Sequence, residues 1–337
     1  MTSATTTNNP NFVQRFARDH SPLVIALVLI FMAVCIIGAA TAPNFLTLFN
    51  FKTIIRDAAI VGIMAIGLTF VTLSGNFFLL SMKETAALAI IAFATCMAAG
   101  LGFPMSFLIT MAIATIAGAV QGLLIGLGGN PIVVTLGAAG LFFGIGSWWS
   151  DNLVVSFRRP HGAEWLGTGS TFGLPNITIA FVIIAIVAEL VLRKTSFGRQ
   201  VYLIGANRAA GRATGHENFA MAIKVCIIAS VCSAFVAVAF SAQVSSAHVN
   251  YFSSEFGSSG DMTIMVIATV MVGGNSIMGG YGSTLRSSLG AVFISTVDNM
   301  MVLHGFNSGP RVLAVGLMIV FSIMVFALVR RGSRAEE

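Results

Sequence analysis

The sequence predicts an all-α fold, a polytopic bundle of transmembrane helices, from its composition and its apolar runs. Charged residues make up 9% of the 337 residues and hydrophobic residues 56%, and the mean hydropathy is +0.92. An ordinary globular chain has roughly 25% charged residues, so this chain cannot cover a water-soluble surface. Composition therefore excludes a soluble enzyme. The 35 Gly and 8 Pro residues follow no fixed period, which excludes a fibrous chain.

Ten apolar runs, bounded by polar residues or by Gly and Pro, have the length of membrane-spanning helices. A span needs about 20 residues. The runs lie near 22–42, 57–75, 84–102, 104–127, 130–149, 174–192, 222–246, 262–279, 287–305 and 310–330. We predict about ten spans, and eight to eleven are compatible with these boundaries. The segment between the second and third runs is expected to be partly re-entrant and buried in protein, because lipid would leave its backbone groups unsatisfied.

The distribution of Lys and Arg predicts the orientation of the bundle, because cations accumulate on cytoplasmic loops. With the N-terminus inside, 13 of the 18 Lys and Arg residues fall on the cytoplasmic side, Lys83 among them. Both termini are then cytoplasmic, and the cation-free segment 249–261 is external. Trp148 and Trp149 end the fifth run at the outer interface, where indole rings are common.

The same pattern divides the chain into one membrane domain with short ends. Residues 1–21 form a polar, basic cytoplasmic segment, residues 22–330 a single transmembrane domain, and residues 331–337 a cytoplasmic tail. Within the domain, 193–221 is a cytoplasmic loop whose small and basic residues suit a short amphiphilic helix. These basic loops explain the sequence pI of about 9.6. The expected partner is therefore the lipid membrane and not nucleic acid.

The sequence lacks the motifs of common catalytic sites, so the chain is predicted not to be an enzyme. It contains no GxxxxGKS/T phosphate loop, no HExxH and no GxSxG. We therefore expect no cofactor and no metal in this chain. The four cysteines lie in apolar runs without metal-ligand spacing and are interpreted as small buried hydrophobes.

Few ionisable residues fall inside the apolar runs, and each is a candidate functional residue for that reason. Glu189 and Lys224 lie near the cytoplasmic ends of the sixth and seventh runs and are expected to reach the interface. Asp298 lies deeper, beside Asn299. It is either a substrate-path residue or an acid paired with an arginine such as Arg311. The scarcity of buried acids argues against a proton- or sodium-coupled carrier.

Small residues predict close helix packing in the fourth run. Gly118, Gly122 and Gly126 recur at four-residue steps, a spacing that lets two helix backbones approach each other in lipid. The repeat predicts a packed bundle and carries no information about the transported solute.

Four stretches of the sequence match the signatures of one protein family. Three are AIGLTFVTLSG at 65–75, NPIVVTLGAAGLFFGIG at 130–146 and ATVMVGGNSIMGGYGS at 268–283. The fourth is a long cytoplasmic motif, matched by Thr195, Gly198, Arg199, Tyr202, Gly205, Asn207, Ala209, Ala210 and Gly215. On these motifs, over roughly residues 45–328, the chain resembles the permease subunits of bacterial ABC sugar importers of the ribose/xylose/galactose type.

This resemblance implies an importer that is powered by a separate subunit. The chain would be a multi-pass protein of the bacterial inner membrane that moves a monosaccharide or sugar-like solute. The implied partners are a cytoplasmic ABC ATPase that binds ATP and Mg, a second permease copy in a homodimer or related heterodimer, and a periplasmic solute-binding protein. The 193–221 loop would dock on the ATPase, and the implied coupling residues are Arg199, Gly205, Asn207, Ala209, Ala210, Arg212 and Gly215.

The sequence departs from the family pattern more along the translocation path than at the coupling loop. The Asp and final Gly that the family carries after the second run are absent from 75–83. The acidic pair that precedes its double glycine falls on Thr263 and Met265. These departures favour an unusual cargo or a modified path. The candidate side chains for a hydroxylated solute are Thr72, Asn76, Phe77, Thr135, Asp298 and Asn299.

Two other functions stay open from the sequence. A permease for a branched-chain amino acid or a nucleoside would share the general architecture. A secondary carrier that works without an ATPase would need buried ion-coupling acids and would have no docking loop.

Overall fold

The computed structural model describes residues 31–42, 44–76, 78–158, 162–207, 218–255 and 261–334. Within these ranges the chain forms twelve α-helices and a π-helical turn at Tyr251–Glu255. The helices are α1 Phe31–Thr41, α2 Leu48–Leu73, α3 Met82–Ala98, α4 Gly102–Gly126, α5 Pro131–Trp149, α6 Glu164–Gly167, α7 Asn176–Lys194, α8 Ser196–Ala206, α9 Asn218–Val244, α10 Met262–Val272, α11 Thr284–Leu303 and α12 Ser308–Arg334.

Each of the ten predicted apolar runs contains one of these helices, so the prediction of a helical membrane bundle is confirmed. Within the described residues, five helices are long and apolar enough to cross a membrane: α2, α4, α5, α7 and the Phe219–Val244 part of α9. Two others are short, since α3 has 17 residues and α10 has 11. The number of crossings stays a prediction. Helix α12 continues to Arg334, past residue 330, and the predicted boundaries of the membrane domain stay a prediction.

Helix α2 lies at the centre of the bundle. Every residue from Ala58 to Leu73 is buried, and α2 packs against α7, α9, α10 and α11. A helix that is apolar on all sides is stable only when protein or lipid surrounds it. The outer helices α4, α5 and α7 instead expose large apolar side chains such as Ile116, Leu136 and Ile186. These faces are suited to lipid, which accepts apolar surface without cost.

Glycines on α4 bring its backbone against α9, as the four-residue repeat predicts. A Cβ atom at Gly118 would lie 2.7 Å from the Cα of Ile227, and a Cβ at Gly126 would lie 3.1 Å from the Cα of Phe219. Gly122, between them, also faces the α9 backbone. No side chain fits at this crossing, so the repeat is explained by close helix packing.

The segments predicted to be external carry the β-structure of the described chain. Strand β1 (Val155–Ser156) pairs antiparallel with β4 (Ser246–Ala247), and β2 (Ser170–Thr171) pairs with β3 (Leu174–Pro175). Four two-residue strands are compatible with the predicted all-α fold. They form because non-helical backbone between spans must still pair its N–H and C=O groups. The β1–β4 pair places two predicted external segments together.

The predicted positions of Lys83 and segment 249–261 on opposite sides of the membrane are wrong. Lys83 Nζ forms an ion pair with Asp261, the last residue of that segment. Val249 and Phe252 are buried, and the π-helical turn packs against α3. The assignment failed because counting charges assumes that every apolar run crosses the membrane fully. Leu79 and Ser81 are instead buried in the bundle, and α3 begins directly after them.

Replacing Gly122 with Ala is expected to destabilise the bundle. The new Cβ would lie 2.8 Å from the carbonyl oxygen of Ala222, and backbone cannot yield without separating α4 from α9. Overpacking of this kind costs about 1–3 kcal/mol, so the melting temperature of the detergent-purified protein should fall.

The control for this prediction is Gly137→Ala on the exposed face of α5. No atom lies within 4 Å of a Cβ at this position. Ala is a better helix former than Gly by about 1 kcal/mol, so this variant should melt at or above the wild-type temperature. Equal melting temperatures for the two variants would contradict the close contact between α4 and α9.

Candidate functional site

The chain turns sharply between α7 and α8, and we call Glu189–Asn207 the α7–α8 corner. Thr195 joins the two helices. Its Oγ1 donates to the carbonyl of Val191 at 2.6 Å and accepts from the backbone N–H of Gly198 at 3.2 Å, which caps α8. Any side chain at Gly198 would overlap the backbone of Leu192. Two residues of the long motif, Thr195 and Gly198, are therefore explained by the geometry of the turn.

Tyr202 joins α8 to the loop that precedes α11. Its hydroxyl donates to the carbonyl of Gly282 at 2.8 Å. Burial, and next the nearby Glu189 carboxylate, raise the pKa of Tyr202 to about 12. The hydroxyl therefore stays a neutral donor at physiological pH, and this hydrogen bond does not titrate in that range.

Three segments meet at Gly205, near the end of α8. A Cβ at Gly205 would overlap the carbonyl of Leu73 and would lie 2.7 Å from the backbone nitrogen of Gly280. That nitrogen donates to the Leu73 carbonyl at 3.0 Å. Gly280 itself has φ +74°, a left-handed conformation that favours glycine. The end of α2, the end of α8 and the double-glycine stretch are thus in direct backbone contact.

Glu189 connects α7 to the first turn of α11. One carboxylate oxygen accepts from Ser283 Oγ and Thr284 Oγ1, both at 2.8 Å, and from the N–H of Thr284 at 3.0 Å. The other oxygen pairs with Arg193, four residues on. The Glu189 side chain is only 7% exposed. It therefore does not reach the interface as expected, and its negative charge instead lies at the N-terminus of α11, where charge and N–H groups are complementary.

The sequence identifies Glu189 as an ionisable residue near the end of the sixth apolar run, but its role as the cap of α11 was not predicted. The available signal was its spacing of four residues from Arg193, together with the Ser283–Thr284 pair that begins a helix. Neither feature indicates that Glu189 and Ser283 are in contact, because the two residues lie 94 positions apart in the chain. Lys224, the other ionisable residue expected at the interface, is exposed.

The structure separates the predicted coupling residues into two kinds. Arg199 and Asn207 are exposed at the corner, in positions that a partner can reach. Gly205 instead lies between Leu73 and Gly280, so its place in the motif follows from packing inside the bundle. The remaining predicted coupling residues lie outside the described residues: Ala209, Ala210, Arg212 and Gly215.

Most predicted path residues are buried, and their hydroxyls bond local backbone. Thr72 Oγ1 donates to the carbonyl of Thr69 at 3.0 Å, and Thr135 Oγ1 to that of Ile132 at 3.3 Å. Such bonds are how Thr satisfies its hydroxyl within a helix. Asn76 is 1% exposed and donates to Ser74 Oγ at 3.0 Å. Phe77 lies outside the described residues.

Asp298 is paired with Arg311, the partner suggested from sequence. Arg311 donates to both carboxylate oxygens, at 2.9 and 2.5 Å, and its side chain is 3% exposed. A bidentate pair of this kind satisfies both charges inside the bundle. Asn299, the next residue, is 8% exposed, and its Oδ1 accepts no hydrogen bond within the described part of the chain. Asn299 therefore keeps an unused acceptor, whereas both carboxylate oxygens of Asp298 are paired, and the assignment of either residue to a solute path stays a prediction.

The bundle is apolar, the short helices α3 and α10 begin inside it, and the α7–α8 corner is joined to the end of α2 and the start of α11. These features are typical of a polytopic membrane permease. The profile of one family matches residues 50–328, and its description is branched-chain amino acid transport system / permease component. This chain belongs to that family and is a multi-pass protein of the bacterial inner membrane.

Similar proteins include three named permeases of bacterial transporters. The probable ABC transporter permease protein YphD of Escherichia coli K12 is 26% identical over 97% of this chain and 95% of its own length. The ribose import permease protein RbsC of Bacillus subtilis 168 is 28% identical over 86% and 88%. The autoinducer 2 import system permease protein LsrC of Enterobacter sp. 638 is 26% identical over 87% and 83%. No solved structure matches this chain significantly.

Replacing Glu189 with Gln is expected to destabilise the corner. The amide NH₂ group must face either Arg193 or the donors at the start of α11, so at least one buried hydrogen bond is lost. An unsatisfied buried group costs about 1–3 kcal/mol. The melting temperature in detergent should fall, and the matched control Asp151→Asn, an exposed carboxylate after α5, should leave it unchanged. Equal melting temperatures for Glu189→Gln and wild type would remove the capping role.

Proposed function

We propose that this chain is the membrane-spanning permease subunit of an ATP-binding-cassette importer. In this proposal a separate cytoplasmic ATPase binds ATP and Mg and hydrolyses the nucleotide, while the chain provides the path through the membrane. The further partners are a second permease copy, in a homodimer or related heterodimer, and a periplasmic solute-binding protein. The named relatives support the proposal, because each is described as a permease of an importer or of an ABC transporter.

The α7–α8 corner is the observation that carries this proposal. Arg199 and Asn207 are exposed on a short helix outside the spans. The same helix contacts Leu73 at the end of α2 through Gly205, and it bonds to Gly282 through Tyr202. A force applied to α8 therefore acts directly on the ends of two bundle helices. This is the mechanical connection that an ATPase outside the membrane requires.

A self-sufficient secondary carrier is less well supported. Such a carrier needs ionisable groups that bind and release its coupling ion. Glu189 is committed to Arg193 and to the start of α11. Asp298 is committed to Arg311. Neither of these two carboxylates is free to exchange an ion without breaking these bonds. Glu84 keeps one oxygen unpaired within the described residues, so it is mainly the named relatives that disfavour a carrier, since they are described as permeases of an importer or of an ABC transporter.

The proposed solute is a monosaccharide or a sugar-like molecule. The family description mentions branched-chain amino acids. The relatives RbsC and LsrC are instead named for the import of ribose and of autoinducer 2. We therefore place this chain with the sugar permeases.

Replacing Arg199 with Glu should weaken association with the ATPase. Reversing a charge within an interface places like charges together, which we expect to reduce binding at least about tenfold. The measurement is recovery of the cognate ATPase with the solubilised chain. Arg158→Glu, at an exposed cation that follows the predicted outer interface at Trp148 and Trp149, is the matched control and should retain the ATPase. Full recovery with Arg199→Glu would argue against docking at this corner.

Uptake by cells that contain the complete transporter tests the solute class. Radiolabelled D-ribose, D-xylose or D-galactose should accumulate, and unlabelled sugar should compete, whereas L-leucine should not. Competition by L-leucine instead of sugar would assign the chain to the amino-acid branch of its family.

A further inference from the structure

Two short helices begin at the same place inside the bundle. Helix α3 starts at Met82, directly after the buried Ser81, and α10 starts at Met262, directly after Asp261. The two starts are in contact, since Lys83 Nζ pairs with the Asp261 carboxylate. Interrupted helices whose N-termini meet within a membrane domain are a recurrent feature of solute sites in transporters, because their free N–H groups point at the solute.

This contact lies about one α10 length away from the α7–α8 corner. The eleven residues of α10 rise about 16 Å. At its far end, the double-glycine stretch touches Leu73 and Gly205 at the α7–α8 corner. The apolar core of a bilayer is about 30 Å thick. The start of α10 is thus about half that thickness away from the corner.

Three charged side chains are gathered at this point. Lys83 pairs with Asp261 and lies 3.4 Å from Glu84 Oε1. Their side chains are 16% exposed for Lys83, 14% for Glu84 and 32% for Asp261, so the cluster is partly open. Asp261 also caps α10, because its Oδ1 accepts from the N–H of Thr263 at 2.8 Å. Charged side chains inside an apolar membrane bundle are costly to bury and are usually functional.

Two acceptor atoms of the cluster are not used by the protein. Glu84 Oε2 and Thr263 Oγ1 are both buried, and neither has a hydrogen-bond partner within the described residues. A buried oxygen without a donor is destabilising. Since Lys83 and Asp261 satisfy each other, Glu84 Oε2 is a strong acceptor still open to a hydroxyl donor.

We propose that Lys83, Glu84, Asp261 and Thr263, at the joined N-termini of α3 and α10, form a solute-contact site in the translocation path for a neutral, polyhydroxylated molecule. This inference rests on the proposed function and specifies where the solute is held. The carboxylates accept hydrogen bonds from solute hydroxyls, and the Lys83 ammonium donates to a solute oxygen. Lys83, Glu84 and Asp261 together carry one net negative charge, and a neutral solute does not change it.

The first test is uptake of radiolabelled D-ribose, D-xylose and D-galactose by cells with the complete transporter. Glu84→Gln keeps the size of the side chain and removes the charged acceptor, so uptake should fall at least about tenfold at unchanged protein amount and melting temperature. Wild-type uptake by Glu84→Gln would overturn the proposal.

A charge exchange separates a solute contact from a purely structural ion pair. The double variant Lys83→Asp with Asp261→Lys keeps an ion pair between the two helices but loses the Asp261 cap of α10, so its melting temperature should not fall below that of the single variant Asp261→Ala, which loses the same cap. Its sugar uptake should remain far below that of wild type, because the hydrogen-bond acceptor and the donor that contact the solute have exchanged positions. Restored uptake in the double variant would show that the pair only holds the helices together, and would overturn the proposal.

Cysteine labelling gives a readout that does not depend on uptake. In a full chain whose four cysteines are replaced by Ala, Asp261→Cys should react with a hydrophilic maleimide, and a transported sugar should slow the reaction. Thr269→Cys, fully buried on the same helix, should not react. An unreactive Asp261→Cys overturns the site. Absence of sugar uptake by wild type would instead reject the proposed function, and labelling still decides whether water reaches the cluster.

Discussion

Backbone groups at the end of a helix have no water to bond inside a bilayer, so protein side chains must satisfy them. Two carboxylates do this within the bundle. Glu189 accepts from the first residues of α11, and Asp261 accepts from the first turn of α10. Both helices follow irregular segments at positions where lipid could not supply partners. The interrupted architecture therefore depends on a few buried acids and on the cations that balance them.

The same requirement explains why distant parts of the chain are joined. The carboxylate that caps α11 comes from α7, and its other oxygen pairs with Arg193 at the start of the α7–α8 corner. Glycine then brings α8 into backbone contact with the end of α2. A corner built in this way has little freedom to move independently of the bundle. That rigidity suits an element on which an external motor acts.

Packing in the rest of the bundle follows from where apolar surface can go. Helix α2 is surrounded by protein, whereas α4, α5 and α7 present large apolar side chains outward. Because lipid gives no strong drive for helices to associate, the contact between α4 and α9 depends on small residues that allow close approach. The glycines at 118, 122 and 126 provide it.

Local patterns in the sequence determined a large part of this structure. The apolar runs predicted a helix in each of ten regions, Gly118, Gly122 and Gly126 predicted a close crossing, and Arg311 was a suggested partner for Asp298. Helix formation, helix packing motifs and pairing of buried charges each follow from residue type and short-range spacing. Such features can be predicted from the sequence alone.

Only the tertiary structure decided which distant residues meet. Glu189 caps a helix that starts 95 residues later, and Lys83 pairs with an acid 178 residues away. The second contact depends on where α3 and α10 begin inside the bundle, and a charge count along the chain contains no information on that position. The physical reason is that burial and electrostatic pairing act through space, whereas hydropathy and spacing are properties of neighbouring residues.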